Sequence, residues 1–475
     1  MRWGLSPSQY KSRKSCYKLE MMNRPLKIFF SGIGGSGVSA IASFMADKGH
    51  IIVGSDRAFD KNPGHPVYKL LKSKEVKIVP QDGNGIDESF DFAVFSTAVE
   101  TDQPEVVKAK ALGIPVKTRP EYLAEIVAGF KTIAVAGTSG KSTTSGMLAF
   151  LMHRLGLRPN FIGGGRVKQF KTGSNPGNSI TGDSDILVIE ACESDGTIVN
   201  YKPRHSIVLN LDFDHHSVEK TAGMFQTLIH HTTDKVILDA DDDELRRIDA
   251  SGAVTFSVDS LSDYRPENIV FKPLGTEFTL NGVGFCLSLP GKYNLYNTLS
   301  CIAMLAEMGI PLKDTADVLH EFKGIERRFD VHLDDGKRLV IDDYAHNPHK
   351  ISSLMQAVKE IRESICYIFQ PHGFAPTRMM KAEYIEAFAA NLRDNDHLIL
   401  LPIFYAGGTV SKDISSRDLA DEIRAAGRSV EVVNDRETVL ERLHERDNYI
   451  VLGARDETLA DFAKDIAHEL KFGRP

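Results

Sequence analysis

The chain has 475 residues, 42 % of them apolar and 25 % charged, enough for about three domains with buried cores, which excludes a single small module. Acids outnumber bases by 64 to 57, for a formal net charge of −7, so no global positive field exists to hold a polyanion and no nucleic-acid partner is expected. Cys16, Cys192, Cys286, Cys301 and Cys366 are scattered without metal-ligand spacing, as in a reducing compartment. No apolar run reaches the roughly 18 residues of a membrane span. A cytoplasmic protein without a membrane partner is expected.

Residues 1–26 are basic and polar and lack the apolar stretch of a secretory signal. They read as a disordered N-terminal extension, with Met21 or Met22 as an alternative start that mass spectrometry of the native protein would test.

From residue 27 an apolar run, a glycine turn, a helical pattern and a second apolar run ending at Ser55 and Asp56 form a βαβ unit. Apolar runs and helical patterns continue through 90–99 and 110–127, which predicts a small parallel sheet for a first domain over 27–128. In the turn, Gly32, Gly34 and Gly37 make GxGxxG, and Asp56 stands where a ribose hydroxyl would find a partner. Such a turn lets a pyrophosphate approach a helix N-terminus. By itself the pattern suits NAD, FAD or a UDP-sugar equally.

A second strand, glycine turn and helix begin at residue 131, with further strands at 185–191 and 205–216, in a central domain over 129–324. In AGTSGKSTT (136–144), Gly137, Gly140, Lys141 and Ser142 have the order of a phosphate cradle. The lysine would reach the β- and γ-phosphates and the serine hydroxyl would face Mg²⁺. The loop is a short variant, because Val135 occupies the place of the first glycine. An acidic run, 239–244, reads as a solvated loop or helix start. Residues 253–289, with a turn at Asn281 and Gly282, read as a β-hairpin insertion.

The third domain, 325–475, alternates strands at 339–343, 365–370, 397–402 and 448–452 with helices, which predicts another doubly wound sheet. The expected fold class is α/β in three domains: Rossmann-like, P-loop ATPase-like, and Rossmann-like again. One ATP-type site and one dinucleotide-type site on successive domains suggest joining chemistry rather than redox chemistry.

The motifs GIGGSGVSAIA (32–42), GSD (54–56), VAGTSGKSTT (135–144), EACESDGT (190–197), NLDFDHH (210–216), PGKYNLYNTLS (290–300), ERRFD (326–330), DDYAHNP (342–348) and FQPH (369–372) stand in the order of the Mur ligases, which the chain resembles from about residue 27 to about 455. The resemblance is strongest to the branch acting on UDP-N-acetylmuramate itself. It implies ATP-dependent amide synthesis through an acyl phosphate in peptidoglycan precursor synthesis, with L-alanine as the amine or, alternatively, a tripeptide recycled from the wall.

By that resemblance Gly137, Thr138, Ser139, Gly140, Lys141, Ser142 and Thr143 hold the ATP phosphates, and Ser142, Glu190 and His215 hold Mg²⁺. Asn294 and Asn297 match ATP contacts; Arg327 and Arg328 would neutralise the transferring phosphoryl group, beside Asp343. Gly32, Gly34, Gly35, Ser36, Gly37, Ser55, Asp56, Ser96, Thr97 and Ala98 would contact the UDP-sugar. Tyr344, His346, His372 and Arg378 would line the amine side. Lys141, Glu190, His215, Arg328 and His346 are the implied catalytic set.

Departures from the family pattern concentrate in the third domain. Gly373 and Pro376 replace arginines of the alanine-adding enzymes, and GARDETL (453–459) replaces a glycine-rich ending. Ser139 replaces a histidine in the phosphate loop. Two readings from other classes also stand: a nicotinamide oxidoreductase, which leaves Lys141 and Ser142 unexplained, and a UDP-sugar-binding regulator without turnover, which has no need of Lys141, Glu190 and Arg328 together.

Overall fold

The structure, a computed structural model, describes residues 24–61, 65–97, 99–173, 175–212, 216–405 and 411–473. The chain divides into two compact units at the junction of Lys323 and Gly324.

Among the described residues the N-terminal unit contains three sheets. In the first, β1 (Lys27–Ser31), β2 (Ile51–Ser55), β3 (Lys77–Ile78), β4 (Phe92–Phe95) and β5 (Val116–Thr118) are all parallel, in the order 3-2-1-4-5. Runs such as Ile28–Phe30 and FAVF are continuously apolar rather than alternating, because helices cover both faces of a parallel sheet. The expected extension ends earlier than residue 26: Leu26 is buried and Arg24 forms an ion pair with Asp91.

The second sheet combines β6 (Lys131–Ala136), β7 (Asn160–Ile162), β8 (Ser179–Ile180), β9 (Ile186–Glu190), β10 (His205–Val208), β11 (Val236–Asp239) and β12 (Val254–Phe256), in the order 12-11-10-6-9-7-8. Only β8 runs antiparallel to its neighbour. The phosphate-loop strand β6 lies between β10 and β9, so the strand order reverses around it; ligands of open α/β sheets sit at the carboxyl ends of strands at such a point. One continuous apolar core runs from Ile28 of the first sheet to Leu238 of the second, and Lys48 of the first donates to the carbonyl of Gly182 in the second (3.1 Å).

The predicted hairpin insertion is a three-stranded antiparallel meander, β13 (Glu267–Lys272), β14 (Gly275–Leu280) and β15 (Val283–Leu287). Asn281 and Gly282, both with positive φ, make its two-residue turn.

The acidic run, expected as a solvated loop or helix start, leads into the 3₁₀ turn Leu245–Arg247 with Asp243 exposed, but Asp241 and Asp242 are enclosed. The Asp241 carboxylate accepts amide N–H bonds from Val258, Asp259 and Ser260 and the Tyr296 hydroxyl, and that of Asp242 accepts from Leu211, Glu244 and Leu245. These carboxylates close the loop after β11 instead of facing water.

The C-terminal unit is a six-stranded sheet of β16 (Asp330–Asp334), β17 (Leu339–Asp343), β18 (Cys366–Gln370), β19 (His397–Leu400), β20 (Val430–Val432) and β21 (Asn448–Gly453), in the order 16-17-21-18-19-20. All pairings but that of β16 are parallel. Among the described residues the cysteines are free and no helix is long and apolar enough to cross a membrane.

Candidate active site

At the carboxyl end of β6 the chain turns through Gly137 (φ 141°) and Gly140 (φ 84°) into the helix Lys141–Arg154. Gly140 is required twice over: its backbone is left-handed, and a Cβ there would lie 2.4 Å from the Asn297 side-chain oxygen. The turn is braced from the end of β10. Asn210 Oδ1 accepts the Ser139 N–H at 2.8 Å and the Thr138 hydroxyl at 2.9 Å, while Asn210 Nδ2 donates to the Ser139 carbonyl. Thr143, one turn into the helix, is half-buried.

Lys141 is buried in this turn. Its ammonium donates to the Gly137 carbonyl at 2.5 Å and to Glu193 Oε1 at 3.1 Å. Burial disfavours the ammonium, but the neighbouring Glu193, Cys192 and Glu190 more than offset this and hold its pKa above the ordinary lysine value. The Ser142 hydroxyl lies 3.0 Å from each Glu190 carboxylate oxygen, and the Gly164 N–H donates to Glu190 Oε2 at 3.0 Å. A hydroxyl and a half-buried carboxylate converging beside a phosphate cradle form a hard-oxygen donor set of the kind Mg²⁺ takes. His215, assigned to the same ion from the sequence, lies outside the described residues. Asn294 and Asn297 are buried on the helix Lys292–Glu307, the first donating to the Pro290 carbonyl, the second abutting Gly140.

In the first sheet the glycine turn follows β1. Gly32 is left-handed, a Cβ there would strike Ser96, and the Gly34 N–H donates to Asp56 Oδ2 at 2.8 Å. The backbone of Gly35 caps the helix that begins at Ser36. Thr97 is exposed, and Ala98 lies outside the described residues.

Ser55 corrects its expectation as a substrate contact. Its side chain is fully buried, and it serves the turn through its carbonyl, which accepts from Gly32 and Ile33. Two residues here were not singled out from the sequence. Arg119 lies beside Gly37 and forms an ion pair with Asp195, bridging the first glycine turn to the loop after β9. Glu105 is buried with its carboxylate 2.6 Å from the Ser31 hydroxyl, and burial raises its pKa.

In the C-terminal unit the two adjacent arginines separate in role. Arg327, left-handed at φ 58°, buries its guanidinium: it donates to Asp342 at 3.1 Å, to the Gly453 carbonyl at 2.7 Å and to the Asp456 carbonyl at 3.0 Å. These bonds lock β17 to the end of β21, so Arg327 acts here as a brace rather than a phosphate ligand. Arg328 lies over the Tyr344 ring, 4.9 Å from its centroid. Asp343 likewise accepts the Phe329 and Ala345 N–H groups, and burial raises its pKa while Arg328 opposes the rise.

His346 packs edge-on against Tyr344 and His372, with ring centroids 5.5 and 5.1 Å away. Its Nδ1 is 2.9 Å from the Tyr344 carbonyl. A carbonyl only accepts, so Nδ1 carries the proton and Nε2 is left as an acceptor. Burial pushes the His346 pKa down to about 3, which keeps the ring neutral. Arg378 does not join this cluster: its guanidinium is bound to Asp413 and to the Ser411 carbonyl.

Three segments of the chain match the Mur ligase family: its catalytic domain over residues 27–131, its middle domain over 135–305, and its glutamate ligase domain over 327–455. A curated relative from Anaeromyxobacter dehalogenans, named UDP-N-acetylmuramate–L-alanine ligase, is 33 % identical, covering 92 % of this chain and 97 % of its own. The chain belongs to the Mur ligase family. It is accordingly an ATP-dependent ligase forming amide bonds, and the α/β fold in three family domains follows the expectation.

Other similar proteins agree with this placement of the Mur ligase. A relative of the same name from Fusobacterium nucleatum is 31 % identical over 94 % of this chain and 97 % of its own. The crystal structure of UDP-N-acetylmuramate–alanine ligase from Thermotoga maritima superposes with a TM-score of 0.77 at 25 % identity, covering 94 % of this chain and all of that one. A murein peptide ligase from Psychrobacter arcticus shares the fold, with a TM-score of 0.67 at 23 % identity over 95 % of this chain and 99 % of its own.

Proposed function

We propose that this Mur ligase joins L-alanine to the carboxylate of UDP-N-acetylmuramate in peptidoglycan precursor synthesis. The observation that carries the reading is the convergence of Lys141, Ser142 and Glu190 at the carboxyl ends of β6 and β9, in a chain whose relatives of that name align over more than nine-tenths of its length. The first glycine turn, with Gly34 held by Asp56, is the place for the UDP-sugar pyrophosphate.

A carboxylate is a poor electrophile, so its oxygen first attacks the γ-phosphorus of ATP and ADP leaves. The amine nitrogen then attacks the acyl carbon, the C–O bond to phosphate breaks, and the amine loses a proton. Lys141 holds the β- and γ-phosphates, exchanging its carbonyl and Glu193 partners for phosphate oxygens. Mg²⁺, held by Ser142 and Glu190, would supply charge neutralisation at the transferring phosphoryl group. Arg328, stacked on Tyr344, adds a delocalised cation on the C-terminal unit. His346, neutral with Nε2 free to accept, orients the amine by taking one of its N–H groups as a hydrogen bond.

The test is phosphate release by the full chain with ATP, Mg²⁺ and UDP-N-acetylmuramate against a panel of amines. Release dependent on L-alanine is the expected result. Release only with the tripeptide would replace this reading with the recycling reaction. No amine-dependent release would overturn ligation.

A further inference from the structure

The amine-side cluster of the C-terminal unit holds a cation that the roles above leave unused. Arg455 follows the end of β21 with φ 68°, one of seven non-glycine residues among those described whose backbone is left-handed. Three of the seven bracket the same short segment. Arg327 accepts the Tyr344 N–H through its carbonyl, the Phe329 N–H donates to Asp343, and the Arg455 N–H donates to the Tyr344 hydroxyl at 3.3 Å. Glycine would occupy such a position without steric cost, so an arginine held there points to use of its side chain.

The guanidinium of Arg455 is exposed and has no hydrogen bond or ion pair among the described residues. Its charge acts on His372, whose pKa is lowered first by burial and then by Arg455. His372 Nδ1 is itself buried without a hydrogen-bond partner. Arg327 and Arg436 are committed to Asp342 and Asp456, Arg378 is bound to Asp413 away from the cluster, and Arg328 lies over the Tyr344 ring. A planar cation without a partner of its own, carried on a backbone anchored to Tyr344 beside a neutral histidine pair, is suited to a carboxylate adjacent to an amine.

We propose that Arg455 binds the α-carboxylate of the amino-acid substrate and so selects a free amino acid over amines that lack that group. This rests on the ligase reading above and deepens it. His346 takes the amine of the same molecule, and the two contacts fix its orientation.

The test is Arg455→Gly in the full chain, since glycine suits the left-handed backbone and should leave thermal stability unchanged or raised. The expected result is a rise in KM for L-alanine of about tenfold or more, with KM for ATP and UDP-N-acetylmuramate unchanged. Discrimination against L-alaninamide should fall with it, and Arg455→Lys should recover part of the loss. Independently of turnover, the His372 ring signals in the NMR spectrum should move with L-alanine but not L-alaninamide, and should not move in Arg455→Gly. An unchanged KM and unchanged discrimination in Arg455→Gly would overturn the assignment while leaving the ligase reading intact. A wild-type protein that turns over no amine yet shows the Arg455-dependent shift with L-alanine would sink the ligase reading and keep the carboxylate site. An equal His372 response to L-alaninamide would reject the site.

Discussion

The ammonium of Lys141 lies 2.9 Å from Glu193 Oε2, inside a turn where the glutamate is 1 % exposed. The lysine proposed to hold the ATP phosphates is thus kept charged by a carboxylate. Removing one partner of a buried pair leaves the other uncompensated. Glu193→Gln is expected to lower stability without nucleotide by about 3 kcal/mol, read as a shift of the urea midpoint. A non-hydrolysable ATP analogue should recover more stability in the variant than in the wild type, because it supplies the missing negative charge. Equal midpoints without nucleotide would show that the pair contributes nothing.

Ser142 and Glu190 make the second prediction. With the hydroxyl shared between both carboxylate oxygens, Glu190→Gln keeps the size and one acceptor but halves the oxygen donors for a divalent cation. Turnover should fall by about 100-fold or more, and Mn²⁺ bound together with ATP, followed by electron paramagnetic resonance, should be lost. Retention of the bound Mn²⁺ signal would move the metal away from this pair.

Much of this arrangement was legible from residue order. Gly137 and Gly140 announce their turn because a positive-φ backbone before a helix start calls for glycine, Lys141 follows as the cation a phosphate would need, and Glu190 stands at the end of an apolar run that could only be a buried strand. What escaped was set by long-range pairing. Asn210 braces Ser139 from 71 positions away, and Arg119 reaches Asp195 across 76; Asn210 and Asp195 stand in recognisable motifs, but no local pattern gives their partners. The run at 239–244 read as a solvated loop or helix start because acids usually are solvated; it does lead into a 3₁₀ turn, but amides from 258 to 260 enclose Asp241. Arg327 and Arg328 are identical neighbours by sequence, and only the left-handed turn at Arg327 sends one guanidinium inward.

His346 carries a pH prediction. Its folded pKa of about 3 lies below the ordinary 6.5, chiefly through burial and then the charges of Lys350, His372 and Arg328, against the Tyr344 carbonyl that favours the cation. Between those values the unfolded chain binds more protons, so this histidine makes stability fall as pH drops below 6.5, with no effect above. His346→Gln should therefore lose less stability than the wild type from pH 7 to pH 5, by about 2 kcal/mol, in paired urea titrations. Parallel losses in the two proteins would place the proton elsewhere.

Asp239 shows the opposite sign. It ends β11 with its side chain buried, and burial, reinforced by the charges of Asp241 and Asp242, raises its pKa to about 7 despite an N–H bond from Asp241. A carboxyl whose folded pKa exceeds its unfolded value of 3.8 favours the fold when protonated. Its contribution is fully present below pH 3.8 and is lost as pH rises through 7. Asp239→Asn keeps the acceptor for the Asp241 N–H and removes the charge. The variant should match the wild type near pH 4 and exceed it by about 2 to 4 kcal/mol at pH 8, measured by urea denaturation at both values. A gain independent of pH would mean that the amide repacks the loop after β11 rather than relieving a buried charge, and a loss at pH 8 would mean that the carboxylate is held there by a cation.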